Sequence, residues 1–202
     1  RKIIFSEGEE EQIIRTAILW RNNGYGTPVL VGREHRIREA MQRMAIQEID
    51  GIEIQNAAVS TRVDHYVDFL YKRLQRMGYL YRDCARLVKN DRNIFAACML
   101  ACGDGDAVIA GLTRGYAGTL KDVMKVIDAR PNHLVFGISL MVANGRTVFI
   151  ADTTVHQLPS AEELADIAVQ AAEKARQMGH EPRVALLSFS NFGNPMHEKA
   201  ER

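Results

Sequence analysis

The chain has 202 residues, of which 47% are hydrophobic and 25% are charged, and its formal net charge is +1. A chain of this length can form one large domain or two small ones, each with a buried core. The near-neutral charge argues against a surface that attracts nucleic acid or a membrane, and no apolar run approaches the roughly 20 residues that span a bilayer.

The first part of the chain alternates between short apolar runs and helical patterns. Residues 2–5 and 27–31 are apolar, and residues 51–55 alternate between apolar and polar side chains, as half-buried strands do. Amphipathic helical patterns lie between these segments, and Ser6 with Glu9 fits a capping box before the first helix. The order βαβαβ predicts a parallel sheet with right-handed crossovers.

The segment 64–102 has a helical pattern over almost its whole length, and Asp91 is the expected N-cap of its last helix. Its many lysines and arginines are not concentrated on one face. We therefore interpret them as solvated helical faces and not as a nucleic-acid-binding surface.

The three cysteines, Cys84, Cys98 and Cys102, lie in apolar surroundings. Cys98 and Cys102 share a helical face, but two thiols without further ligands make a poor metal site, so we predict no bound metal. Free thiols in a protein core are typical of a reducing compartment, and we expect a cytoplasmic location.

The stretch from Asp106 to Lys121 has the features of an anion site. Residues 107–110 are typical of a strand buried in a parallel sheet, and a polar, glycine-rich loop and a helical pattern follow. The first N–H groups of a helix and its dipole favour anions, and Arg114 and Lys121 add positive charge. The alternative is an ordinary strand–helix connection with solvated cations, because the glycines fit neither nucleotide-binding fingerprint.

Pro131 follows a helical pattern and predicts a boundary between a first subdomain, residues 1–130, and a second, residues 131–202. Beyond it, Asn144-Gly145 separates two apolar runs, which is a strong hairpin signal. A long helix is expected after Ser160.

Residues 183–187 are then predicted to form a buried strand. A second polar loop follows, with Ser188, Ser190 and Asn191 before another helical pattern. The chain begins directly before a strand, without an initiator Met, and stops within a helical pattern. We therefore interpret it as a segment of a longer protein.

Several motifs resemble the phosphate acetyl/butyryltransferase (phosphotransacetylase) family. The match is closest to the C-terminal domain of the large, fused NADP-dependent malic enzymes of bacteria. The motifs are the runs Arg1–Glu10, Gly111–Lys121, Phe149–Thr153, Ala161–Ala168 and Glu181–Gly193. The resemblance implies an α/β fold of two three-layer α/β/α subdomains with mostly parallel sheets, the second one incomplete in this chain.

The chain departs from the family's usual sequence at loop positions that concern catalysis. Active transferases usually carry His-Ser-Thr and then Ala-Asp-Thr-Leu-Arg in this loop. Here Arg114 stands for the His, Gly115 for the Ser, Gly118 for the Asp and Lys121 for the Arg. Lysine lacks the planar guanidinium group with which arginine binds phosphate through two hydrogen bonds. The family's other catalytic group lies beyond residue 202, so no residue of this chain is assigned a catalytic role.

The resemblance therefore implies a non-catalytic regulatory and oligomerisation domain of a malic enzyme, with acetyl-CoA as allosteric inhibitor. Its expected partners are the malic-enzyme domain of the same chain and further copies, as a dimer or larger homo-oligomer. NADP and Mg²⁺ or Mn²⁺ are implied only for that other domain. The expected ligand-binding residues, for acetyl-CoA or phosphate, are Thr113, Arg114, Gly115, Tyr116, Lys121, Ser188, Ser190 and Asn191.

Two other functions remain open from the sequence. One is an active acyltransferase that moves an acyl group between CoA and phosphate, and the other is a dimerisation module that binds no ligand. Among single residues, Asp152 is expected to orient either a ligand or neighbouring main chain. His133 and His156 lack partners at metal-ligand spacing.

Overall fold

The computed structural model describes residues 1–46 and 49–187. The chain divides into two compact units, Arg1–Asp128 and Ala129–Arg202. The elements of the first unit are β1 (Lys2–Phe5), α1 (Glu11–Asn22), β2 (Thr27–Val31), α2 (Glu34–Arg43), β3 (Glu53–Gln55), α3 (Val63–Leu74), a 3₁₀ turn (Gln75–Met77), α4 (Tyr81–Asn90), α5 (Arg92–Ala101), β4 (Ala107–Ile109) and α6 (Tyr116–Met124).

The four strands of the first unit form one parallel sheet in the order β3-β2-β1-β4. This confirms the parallel sheet that the βαβαβ pattern predicts. Because all four strands run in the same direction, their carboxyl ends meet at one edge of the sheet. The segments that follow β1 and β4 are neighbours at that edge, since Ile4 pairs with Val108.

Helices cover both faces of this sheet. Ile4 of β1 belongs to a core with α3, α4 and α5, whereas Ile3 and Phe5 belong to a second core with α1 and α2. Successive side chains of a strand point to opposite faces, so one strand supplies both cores. The first unit is thus a three-layer α/β/α domain.

Two predicted helix starts have different outcomes. Asp91 caps α5 as predicted, because its Oδ1 accepts hydrogen bonds from the N–H groups of Asn93 and Ile94 at 2.9 and 3.1 Å. The capping box predicted for Ser6 and Glu9 is wrong, since α1 begins only at Glu11. Glu9 instead binds Arg33, which follows β2, so a tertiary ion pair replaces the local cap.

The second unit contains β5 (Ile138–Ala143), β6 (Arg146–Ala151) and α7 (Ala161–Gln177). The predicted hairpin is confirmed: β5 and β6 are antiparallel, and Asn144 and Gly145 have φ values of 49° and 72°. Two consecutive positive φ values are typical of the type I′ turn that Asn-Gly favours. Ser160 caps α7 in a reciprocal capping box with Glu163, at 2.7 and 3.2 Å.

The strand predicted at 183–187 is not present in the structure. These residues have no regular secondary structure, and Leu187 is 90% exposed. A buried strand requires a neighbour for its backbone hydrogen bonds, and none of the described strands pairs with this segment. Within the described ranges, no helix has the length and apolar character needed to cross a membrane.

Candidate functional site

The loop between β4 and α6 lies at the carboxyl edge of the first unit's sheet. β4 ends at Ile109, Gly111 turns the chain with a φ of 98°, and α6 begins at Tyr116. A side chain is strained at such a φ, which accounts for a glycine there. In open α/β sheets ligands bind beyond the carboxyl ends of the strands, so this loop has the position of a ligand site.

The Glu7 carboxylate holds the beginning of this loop. Glu7 follows β1 and is 3% exposed. It accepts hydrogen bonds from the main-chain N–H groups of Gly111, Leu112 and Thr113, and from the Thr113 hydroxyl. The Gly111 and Thr113 N–H bonds measure 3.0 and 2.8 Å. The expected anion-binding groups of the loop's first half therefore already bind an anion of the chain itself.

Burial alone would raise the pKa of Glu7, but the hydrogen bonds from Thr113, Leu112 and Gly111 outweigh it and lower the pKa. The neighbouring Glu9 has its pKa lowered to about 2, with the hydrogen bond from the Arg33 guanidinium as the largest cause. Both carboxylates are thus ionised near neutral pH. The carboxyl edge beside the loop carries fixed negative charge.

Arg114 does not point freely into solvent. Its guanidinium donates a hydrogen bond to Oδ2 of Asp91, the N-cap of α5, and lies 3.7 Å from a carboxylate oxygen of Asp122 on α6. The hydrogen bond to Asp91 raises the pKa of Arg114, and the charges of Asp91, Asp122 and Glu7 act in the same direction. The predicted ligand-binding cation is engaged with carboxylates of its own chain.

The N-terminus of α6 has donors that are still open. Gly115 is the N-cap, and among the described residues no side chain caps the first N–H groups of the helix, which have no partner within the helix itself. Tyr116 is the first helical residue and is 47% exposed. Thr119, one turn later, is 8% exposed, and its hydroxyl has no hydrogen-bond partner among the described residues. This first turn is the open part of the predicted anion site.

Lys121 lies in the last turn of α6 and is exposed, with no ion pair in the described part of the chain. It is about 7.5 Å along the helix axis from Tyr116, and helical side chains tilt toward the N-terminus. Asp122 also binds Lys125, so the cations Arg114 and Lys125 are both paired with carboxylates of the chain.

The structure therefore brings Thr113, Arg114, Gly115, Tyr116 and Lys121 together on one loop and helix. Thr113 and Arg114 are occupied by Glu7 and Asp91, whereas Gly115, Tyr116 and Lys121 are accessible. Ser188, Ser190 and Asn191 lie outside the described residues. Their role as ligand-binding residues stays a prediction.

Sequence reasoning missed the two carboxylates that organise the loop, Glu7 and Asp91. The sequence does not predict a contact of either residue with the loop, and Asp91 is predicted only as a helix cap. A signal for Glu7 was available, because a polar residue two positions after the end of β1 lies at the carboxyl edge of the sheet. The position of β4 beside β1, which brings the loop to Glu7, was not evident from the sequence.

A second buried carboxylate organises the other unit. Asp152 follows β6, and its side chain is 5% exposed. It accepts hydrogen bonds from the N–H groups of Gly137, Thr154, Val155 and His156, and it contacts Nδ1 of His156 at 2.7 Å. Burial opposes ionisation, but these hydrogen bonds lower the pKa of Asp152 to about 2. Of its two expected roles, the structure shows the orientation of main chain.

His133 has a comparable local partner, since its Nδ1 lies 3.2 Å from a carboxylate oxygen of Asp166. Across residues 1–46 and 49–187, no group of three or more histidine, cysteine, aspartate or glutamate residues is arranged to hold a metal ion. Cys84 and Cys98 are buried and Cys102 is half-buried. Burial raises the pKa of Cys98 to about 12, so this thiol stays protonated.

Comparison with known proteins gives consistent matches. The family model described as Phosphate acetyl/butaryl transferase matches residues 1–202. An NADP-dependent malic enzyme of Rhizobium meliloti (strain 1021) is 52% identical over 204 residues, which are 100% of this chain and 27% of that enzyme. A probable NADP-dependent malic enzyme of Rickettsia prowazekii (strain Madrid E) is 50% identical over 203 residues, 100% of this chain and 26% of that protein.

The crystal structure of a phosphotransacetylase from Streptococcus pyogenes superimposes with a TM-score of 0.86 at 26% identity. The match covers 98% of this chain and 60% of that one. It confirms the α/β fold class. The chain spans about a quarter of the length of the malic enzymes that it matches.

Proposed function

The chain belongs to the Phosphate acetyl/butaryl transferase family, and we propose that it is a non-catalytic, regulatory and oligomerisation domain of an NADP-dependent malic enzyme, with acetyl-CoA as its inhibitory ligand. The malic-enzyme part of the proposal rests on the relatives at 50% and 52% identity, which are longer proteins of that name. Oxidative decarboxylation of malate, with NADP and Mg²⁺ or Mn²⁺, belongs in this proposal to the rest of the parent protein.

The observation that carries ligand binding is the open first turn of α6. Among the described residues its N–H groups have no side-chain cap, and Tyr116, the first helical residue, is 47% exposed. Helix N-termini bind phosphate groups, and an exposed aromatic ring offers a flat surface to a base. A nucleotide-containing thioester such as acetyl-CoA has both kinds of group.

The same geometry supports binding without catalysis. Acyl transfer to phosphate requires groups that hold phosphate beside the thioester and stabilise the developing negative charge. Gly115 and Gly118 have no side chains with which to hold phosphate or stabilise that charge.

Regulation requires that the ligand binds two states of the parent protein with different affinities. In the proposed mechanism, acetyl-CoA binds the state in which malate is not oxidised. Because coupling is reciprocal, malate and NADP would weaken acetyl-CoA binding by the same factor by which acetyl-CoA weakens theirs.

Titration calorimetry of the complete protein with acetyl-CoA tests the proposal. We expect saturable heat from the wild type and at least about tenfold weaker binding for Arg114→Ala, roughly 1.4 kcal/mol, because a charge-assisted hydrogen bond to phosphate is lost. Arg36→Ala is the matched control, since it removes one exposed positive charge from α2, which packs in the other core. Absence of heat and of a thermal shift at millimolar acetyl-CoA would contradict the proposal.

A coupled assay of acetyl phosphate formation separates this function from an active acyltransferase. We expect no turnover above the uncatalysed rate from acetyl-CoA and inorganic phosphate. Turnover that disappears in Lys121→Ala, while Arg36→Ala retains it, would show that the domain is catalytic.

A further inference from the structure

Arg114 is shared between two carboxylates, each of which has another partner. Asp91 uses Oδ2 for Arg114 and Oδ1 for the N–H groups of Asn93 and Ile94 at the start of α5. The two functions of Asp91 are thus on different oxygens. Arg114 can leave Asp91 without uncapping α5.

Asp122 has a comparable second interaction. Its Oδ1 binds the Lys125 ammonium at 2.8 Å, whereas the contact of its Oδ2 with Arg114 is 3.7 Å. The side chains of Asp91 and Asp122 are 19% and 18% exposed, and that of Arg114 is 42% exposed. The guanidinium is therefore the accessible member of the cluster, and it can exchange partners without unburying a carboxylate.

The position of Arg114 makes such an exchange possible at the ligand site. Arg114 directly precedes Gly115, the N-cap of α6. The guanidinium that now binds Asp91 therefore belongs to the residue next to the helix start at which an anion would bind. Because Arg has a planar fork of donors, it binds either a carboxylate or a phosphate in a bidentate manner.

We propose that Asp91 is an internal competitor for Arg114, so that an anionic ligand binds the α6 N-terminus by withdrawing Arg114 from Asp91. Asp91 is in this sense a positioning residue that limits the affinity of the site. The inference rests on the proposed function, because it assigns acetyl-CoA to this turn.

The test is a comparison of acetyl-CoA affinity between the wild type and Asp91→Asn in the complete protein. Asparagine is as good an N-cap as aspartate, so α5 stays capped while the ion pair is lost. A partly exposed ion pair contributes only modestly, and release of Arg114 should therefore tighten binding by roughly three- to fivefold. Asp104→Asn is the control, because it removes a carboxylate paired with Arg62 in a separate cluster.

The double variant Asp91→Asn with Arg114→Ala distinguishes competition from a general change of charge. If Asp91 acts through Arg114, the gain in affinity seen for Asp91→Asn disappears when Arg114 is alanine. A gain that persists in the Arg114→Ala background contradicts the inference, because simple removal of negative charge then explains it. A purely structural role of Asp91 would give equal or weaker binding together with a lower melting temperature.

The outcomes separate the inference from the proposed function. If the wild type binds acetyl-CoA but Asp91→Asn does not bind it more tightly, the inference that Asp91 competes for Arg114 is wrong. The proposed function then still stands. If the wild type binds no acetyl-CoA, both are wrong. Tighter binding that is specific to Asp91→Asn and depends on Arg114 supports both.

Discussion

Replacement of Glu7 by glutamine is expected to lower the free energy of unfolding of the first unit by roughly 2–4 kcal/mol, the range for loss of hydrogen bonds to a buried charged group. Glutamine has one acceptor oxygen where the carboxylate has two, and its NH₂ group would face N–H donors. Gly111, Leu112 and Thr113 would then compete for a single oxygen.

Chemical denaturation of Glu7→Gln at neutral pH measures this loss. Glu39→Gln is the matched control, because Glu39 is exposed on α2 and makes no hydrogen bond in the described part of the chain. We expect the control to unfold within about 0.5 kcal/mol of the wild type, as surface substitutions do. Equal stability of the two variants would show that Glu7 does not hold the loop.

The pH dependence provides a second test of the same contact. The pKa of Glu7 is lower in the folded chain than its ordinary value of 4.5. Its stabilising contribution is therefore fully present above pH 4.5 and is lost as the pH falls through the folded-state pKa. The difference in stability between wild type and Glu7→Gln should shrink on acidification below pH 4.5. A difference that stays constant there would show that ionisation of Glu7 does not account for the effect of the substitution.

Replacement of Asp152 by asparagine is expected to lower the local stability of the second unit. Asp152 binds four main-chain N–H groups and the His156 imidazole, and we expect its loss to cost about 2–4 kcal/mol of local stability. Amide hydrogen exchange reports such local opening. Protection of the Gly137, Val155 and His156 amides should fall by roughly 30- to 1,000-fold, the equivalent of that free energy.

Glu173→Gln is the control for this experiment, because Glu173 is exposed on α7 and makes no described hydrogen bond. The sign of the pH effect follows from the lowered pKa of about 2. The contribution of Asp152 is complete above pH 3.8, the ordinary aspartate value, and is lost as the pH falls toward 2. Unchanged exchange of the three amides in Asp152→Asn would contradict the role of this carboxylate.

These carboxylates change how the loop 111–115 is interpreted. From the sequence it is a loop with free N–H groups and a free arginine. In the structure Glu7 occupies its first N–H groups and Asp91 binds Arg114, whereas no described side chain caps the first turn of α6. The sites for mutagenesis are therefore Arg114 and Asp91 for binding, and Glu7 for the integrity of the loop.

The sequence by itself determined the features that depend on neighbouring residues. The Asn144-Gly145 hairpin, the Asp91 cap of α5 and the Ser160 cap of α7 are all decided within a few residues, and all three are as predicted. The parallel sheet follows from hydrophobic periodicity, which is local as well. The family motifs extend over most of the chain and correctly indicated the fold.

Only the tertiary structure decided which groups of the candidate site are open. Glu7 and Gly111 are 104 residues apart, and they meet because β4 pairs with β1 at the sheet's carboxyl edge. Arg114 and Asp91 are 23 residues apart and meet because α6 packs against α5. The local sequence shows which residues are charged. The partner of each charged residue depends on strand order and helix packing, which no short motif encodes.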